Sequence, residues 1–265
     1  MMTSNRVALV LGAVLAMSVS ATVLAVRYGQ PDNGAHPYVG LIVFSDAAGA
    51  PQWRCTGTLI SPTVLLTAGH CTELNAGARV YFDEHVNATT QAGYPLSGGV
   101  TGTAITYPQW QGGLFLPNTG DAGVVLLDTP VTLGSYPAIA AEKYLDTLAT
   151  ARGKKDVSFE VVGYGLQSVR PRLSQLRDRL KAWVQLVNLR SALTDGYNLQ
   201  TTNAPGGGTG GGGTCFGDSG GAIFTSTGDI VAVNSFVLNA NCAGSSFGYR
   251  VDTPDVRAWI HSFLP

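Results

Sequence analysis

Thr214-Cys215-Phe216-Gly217-Asp218-Ser219-Gly220-Gly221 is the stretch best equipped for covalent chemistry. A serine hydroxyl is a poor nucleophile until a neighbouring base removes its proton. Gly217 and Gly220 let the backbone bend closely around Ser219 and turn amide N–H groups toward a developing oxyanion. Alone, the octapeptide also reads as a glycine-rich turn with an incidental serine. A base must come from elsewhere, and the chain has four histidines: His36, His70, His85 and His261. Only His70 has a context of small residues beside a cysteine, in Leu66-Thr67-Ala68-Gly69-His70-Cys71. Imidazole suits the role because it titrates near neutrality, so it can take the hydroxyl proton and return it to a leaving group. It then needs a buried carboxylate to fix its tautomer and stabilise the imidazolium. Asp121 stands just ahead of the apolar run Val124-Val125-Leu126-Leu127, where a carboxylate can enter a cleft. Asp128, at the far end of that run, reads as a turn residue.

Other polar clusters read as ordinary surface. His85 follows Asp83 and Glu84, a solvated acidic turn without metal-ligand spacing. The segment 205–214 carries seven glycines but no Gly-Lys-Ser/Thr, so it is a mobile loop beside a substrate pocket and not a phosphate loop.

The elements that must position these residues are short strands. Charged residues make up only 12% of the 265, and there are 34 glycines, a balance suited to a turn-rich all-β protein. Tyr38–Phe44, Thr58–Ile60, Val64–Leu66, Arg79–Phe82, Val124–Leu127, Phe159–Val162, Ile230–Val233 and Phe247–Val251 form the apolar set, punctuated by Gly, Pro, Asn and Asp. Two segments differ. Pro171 to Leu193, rich in Arg and Leu, opens on a pattern compatible with a short amphipathic helix. Thr253-Pro254-Asp255 starts a clearer helix whose Val256, Trp259, Ile260 and Phe263 share a face. The net charge of −1 and the lack of a basic run argue against a nucleic-acid partner.

Residues 1–25 read as an export signal: Arg6, an apolar stretch from Val7 to Met17, and the small-residue site Val23-Leu24-Ala25. The competing reading is a retained membrane anchor, since Val7 to Val26 is long enough to span a bilayer. With a cleaved signal, residues 26–265 form one domain, secreted and without stable membrane association. Cys55, Cys71, Cys215 and Cys242 all follow the signal, so they read as two disulfides whose pairing the spacing leaves open. Asn87-Ala88-Thr89 is a glycosylation sequon.

Together, the Ser219 and His70 motifs and the order His70, Asp121, Ser219 resemble the trypsin/chymotrypsin-like serine proteases, from Val26 to Leu264. The resemblance implies two antiparallel six-stranded β-barrels with the active site in the cleft between them and a C-terminal helix. It implies disulfides Cys55–Cys71 and Cys215–Cys242 and a catalytic triad of His70, Asp121 and Ser219. It further implies an oxyanion hole from the N–H groups of Gly217 and Ser219, and a Ser235 that supports the aspartate. Asp218 is expected to pair with the mature amino terminus at Val26. The implied pocket is lined by Gly213, Thr214, Ser235 and Val237; Gly213 at its base brings no carboxylate, and Val237 narrows it. Small or medium aliphatic residues are therefore expected on the acyl side of the cut bond. No cofactor or metal is expected; protein or peptide substrates are, and protein inhibitors are compatible partners. The chain departs from the family at Ala222, where proline is usual, and at Val26-Arg27-Tyr28-Gly29, in place of Ile-Val-Gly-Gly. Two alternatives remain: a non-catalytic relative that binds a partner, and an esterase on the same fold.

Overall fold

The computed structural model describes residues 26–265 apart from 88, 149–155, 168–175 and 204–211, so residues 1–25, read from the sequence as an export signal, and most of the glycine loop lie outside the described residues. After β1 (Gln30–Pro31) come β2 (Val39–Ser45), β3 (Pro51–Leu59), β4 (Val64–Thr67), the single-turn α1 (Gly69–Thr72), β5 (Gly77–Tyr81), β6 (Val100–Thr106) and β7 (Gly123–Leu127). Strands β2 to β7 close into an antiparallel barrel in the order β2-β3-β4-β7-β6-β5. The second half supplies β8 (Ser158–Gly163), β9 (Leu180–Asn188), β10 (Asn198–Asn203), β11 (Ala222–Phe224), β12 (Ile230–Val237), β13 (Gly244–Arg250) and finally α2 (Pro254–His261). These six strands run β9-β10-β13-β12-β11-β8 and close by pairing β8 with β9, while β1 lies along β9. The expected pair of six-stranded barrels with a C-terminal helix is the observed architecture.

The expected apolar runs all fall on strands. Four further strands of the barrels escape that reading: β6 (Val-Thr-Gly-Thr-Ala-Ile-Thr) and β10 (Asn-Leu-Gln-Thr-Thr-Asn) because their composition is polar, β11 because it is only three residues long, and β9 because it lies in a segment rich in Arg and Leu. Pro171 to Leu193 carries β9 in its second half: Leu180, Ala182, Val184 and Leu186 turn inward and Lys181, Trp183 and Gln185 outward. Period-two alternation of this kind builds a barrel wall. Residues 168–175, where the helical pattern would begin, lie outside the described residues.

One apolar cluster joins the two barrels. Leu41, Val64, Leu66 and Val124 from the first pack with Val162, Tyr164, Phe224 and Tyr249 from the second, and α2 adds Val256 and Ile260. Trp259 of α2 lies with its ring 5.0 Å from that of Tyr107, so the helix face read from the sequence clamps the first barrel to the second.

A buried polar network also crosses the barrel interface. Asp32 accepts hydrogen bonds from the His36 ring and from Arg179 Nε at 2.9 Å. Arg179 reaches across to the carbonyls of Val39 (3.2 Å) and Phe82 (3.0 Å), and His36 Nε2 lies 3.4 Å from Glu160. Burial alone would raise the Asp32 carboxyl, but the His36 hydrogen bonds and charge, with Arg179, outweigh it and hold it at about 2. Burial likewise opposes charge on His36, yet Asp32 and Glu160 raise its pKa above the ordinary value. The carboxylate therefore stabilises the fold above its unfolded pKa, and this contribution fades as pH falls toward 2. The His36 contribution is present below its unfolded pKa and fades as pH rises through its raised value. Asp32→Ala leaves Arg179 and His36 buried beside an absent partner and is expected to cost about 3–5 kcal/mol, read by denaturant unfolding near pH 5–6. A loss under 1 kcal/mol would mean that the network is already satisfied by solvent.

Candidate active site

The site lies where both barrels meet. His70 sits on α1, the single turn that follows β4, and Asp121 stands two residues before β7, which pairs with β4. Neighbouring strands thus deliver the two side chains to one end of the first barrel. His70 Nδ1 is 2.9 Å from Asp121 Oδ2 and 3.1 Å from Oδ1, and the His70 backbone N–H donates to Oδ1 at 2.7 Å. From β12 of the other barrel, Ser235 Oγ donates to Asp121 Oδ2. Asp121 is completely buried and is satisfied by these three donors. Burial pushes the His70 pKa down, but the Asp121 charge and hydrogen bond more than compensate, leaving the imidazole more basic than usual.

Ser219 enters from the second barrel, on the loop between β10 and β11. Its carbonyl accepts from Thr56 N–H at 2.8 Å, and Thr56 Oγ1 donates to the Gly217 carbonyl at 2.8 Å. Gly220 N–H donates to the Asn234 carbonyl at 2.8 Å, and Asn234 N–H to Gly221 at 2.9 Å. The loop is thus tied to β3 on one side and β12 on the other. Gly217 and Gly220 have φ of +98° and +79°, and a Cβ at Gly220 would lie 2.6 Å from the Thr56 carbonyl. Only glycine tolerates that combination without shifting backbone. The N–H groups of Gly217 and Ser219 donate to no acceptor among the described residues, leaving them available as an oxyanion-binding pair.

His70, Ser219, Thr214, Ser235 and Val237 line one cavity of about 320 Å³, completed by Leu114, Phe216, Asn234 and Phe236 among others. Gly213 lies just behind this wall, its N–H donating to the Arg27 carbonyl at 3.0 Å. Arg27 is itself buried, and its guanidinium binds the Asn241 and Cys242 carbonyls. An arginine at the position the family makes apolar is thereby accommodated: it anchors the N-terminal segment to the pocket loops.

Asp218 is fully buried, with its oxygens accepting from Gly165 N–H at 2.8 Å and Cys215 N–H at 2.9 Å. Burial dominates and pushes its carboxyl up to about 7, against the lowering effect of those two N–H groups and of Arg54. Val26 packs in the apolar core of the second barrel, and no hydrogen bond joins it to Asp218 among the described residues.

The disulfides are Cys55–Cys71, beside His70, and Cys215–Cys242, which fastens the Ser219 loop to the turn after β12. By the chain-entropy account each contributes about 3 kcal/mol. Cys55, Cys71 and His70 do lie close enough together to suggest a metal cluster, but the two sulfurs are bonded to each other and offer no thiolate. His85 pairs with Asp178 at 3.0 Å on the surface, and Asp128 accepts from Thr101, both as expected of solvated turns.

Sequence reasoning missed Thr56, Asn234 and the apolar rim at Leu114 and Phe216. Asn234 carries a signal in retrospect, a lone carboxamide inside Ile-Val-Ala-Val-Asn-Ser-Phe-Val. Thr56 carries none, because its role is created by the approach of a distant loop.

Two closed barrels holding a serine, a histidine and a buried aspartate at their junction define a class of hydrolase, and comparison with known proteins specifies it. Residues 26–260 match the Trypsin family. Serine protease 1 and serine protease 2 of Drosophila melanogaster are each 28% identical over 243 residues, covering 88% of this chain and 80% of theirs. A solved HL collagenase superposes with a TM-score of 0.67 at 18% identity, covering 90% of this chain and 97% of its own, a likeness of fold. The chain belongs to the trypsin family of serine endopeptidases.

Proposed function

We infer that the protein is an exported endopeptidase that cleaves peptide bonds through an acyl-enzyme on Ser219. The carrying observation is the Asp121–His70 pair, held from three sides and lining the same cavity as Ser219. His70 takes the Ser219 proton as Oγ attacks the scissile carbonyl, then returns it to the leaving amine. Asp121 holds the tautomer with the proton on Nδ1 and stabilises the imidazolium. The N–H groups of Gly217 and Ser219 receive the oxyanion, each contributing about 3–4 kcal/mol. Water then repeats the sequence on the acyl-enzyme. Presence of all three side chains in one site favours this over a non-catalytic relative.

Cleavage after Ala25 supplies a free amino group at Val26, and Asp218, buried with only N–H partners and Arg54 for charge, suits an ion pair with it. Export fits two disulfides, which persist in oxidising compartments. Among the described residues, no helix is long and apolar enough to cross a membrane.

By size and charge alone, Gly213 and Val237 favour Ala, Val or Leu on the acyl side of the cut bond. Arg or Lys would bury a charge with no carboxylate at the base, and the Val237 side chain limits large rings. Peptide p-nitroanilides ending in Ala, Val, Phe and Arg test this. The small and medium residues are expected to lead, and a tenfold preference for Arg, about 1.4 kcal/mol in the transition state, would overturn the assignment. Casein hydrolysis exceeding short-ester turnover is the outcome expected of a peptidase as opposed to an esterase.

A further inference from the structure

Size and charge are not the whole chemistry of the pocket, because the cavity wall contains an unused polar group. Asn234, 3% exposed, lines the cavity with Ser219. Its backbone is spent on the nucleophile loop, through Gly220 N–H and the Gly221 carbonyl. Its side chain is spent on nothing: Oδ1 and Nδ2 are both buried, and neither has a partner among the described residues. A second carboxamide repeats the pattern behind the wall. Asn203, fully buried at the end of β10, donates from Nδ2 to the Thr214 carbonyl at 2.8 Å, while its Oδ1 is unpaired. That oxygen fills the space where a side chain on Gly213 would begin, 1.6 Å from an ideal Cβ. Gly213 is therefore glycine because the Asn203 side chain occupies the room, and the unpaired amide in the cavity wall itself is that of Asn234.

Buried donors and acceptors left unpaired are costly, so a site carrying them selects ligands that complete them. In the wall of the cavity, Asn234 thus carries one unpaired acceptor and one unpaired donor. An aliphatic tip satisfies neither of them. A lysine or arginine tip satisfies only the acceptor, and a carboxylate only the donor. A carboxamide brings two N–H groups and one carbonyl oxygen, which matches the set. Its apolar stem suits a wall that also contains Phe236 and Val237.

We propose that Asn234 makes the primary pocket a carboxamide reader, so that glutamine, and next asparagine, is preferred on the acyl side over apolar residues of equal size. This rests on the serine-endopeptidase reading of the same site. The test compares kcat/KM for peptide p-nitroanilides ending in Gln and in Met, which are alike in length and volume, with active sites counted by a fluorophosphonate. Gln is expected to lead by at least tenfold, and Asn234→Leu to bring the ratio to one or below. Asn234→Asp keeps the shape and adds a charge, so it is expected to raise Lys over Gln at least tenfold, a gain that no misfolded variant produces. Equal or faster cleavage after Met by fully labelled enzyme overturns the proposal, as does an unchanged Gln:Lys ratio in Asn234→Asp; either result means that the Asn234 amide is satisfied without substrate. Failure of the wild-type protein to label removes the serine reading itself and is read separately from the ratios.

Discussion

Ser219→Ala is expected to lower kcat by about 10⁶-fold while leaving the fold and peptide binding in place. The size of the effect follows from what the residue does. Without Oγ no acyl-enzyme forms, and only water held near the oxyanion donors remains as nucleophile. The neighbours that shape the loop do not depend on the hydroxyl: Thr56 holds the Ser219 carbonyl, and the Asn234 carbonyl holds Gly220 N–H. Unfolding should therefore shift little, which separates loss of chemistry from loss of structure. Because the residues act as a unit, adding His70→Ala to Ser219→Ala is expected to cost almost nothing more. Independent, additive losses would show that His70 does not serve Ser219.

The second large effect is expected at Asp121→Asn, about 10⁴-fold in kcat with the structure retained. Asparagine can present an N–H to His70 Nδ1 and so favour the wrong tautomer, leaving the Ser219 side of the ring without a free lone pair. The pH profile gives a further reading. In the native enzyme, activity is expected to rise as His70 loses its proton, at a pH above the ordinary imidazole value because Asp121 outweighs burial in favouring the charged form. Removing that charge leaves burial as the leading influence, so the rising limb of the residual activity moves to lower pH. A limb that stays in place would mean that Asp121 does not control the imidazole.

Much of this was legible in the sequence for a physical reason. Ser219, His70 and Asp121 are placed by local backbone demands, small residues at the turns and an apolar strand behind the acid, and such demands leave motifs. Strands β2, β4 and β7, buried on nearly every residue, announce themselves as apolar runs. β10 does not, because it is built largely of polar side chains, several of which pair across the sheet: Thr201 with Ser246, and Gln200 with Ser245. Arg27 looked misplaced because its partners, the Asn241 and Cys242 carbonyls, lie more than two hundred residues away in the chain. The unpaired amides of Asn203 and Asn234 were invisible for the complementary reason, since a missing partner can be seen only once every neighbour is in place.

The central claim is that Ser219 is the activated nucleophile of this site. Intact-mass and peptide-mapping measurements after exposure of the purified protein to a fluorophosphonate test it most directly. The arrangement of Asp121, His70 and Ser219 predicts one adduct per molecule, carried by the peptide containing Ser219, slowed when His70 is protonated and absent from Ser219→Ala. An unlabelled wild-type protein, or an adduct that persists in Ser219→Ala, would contradict it.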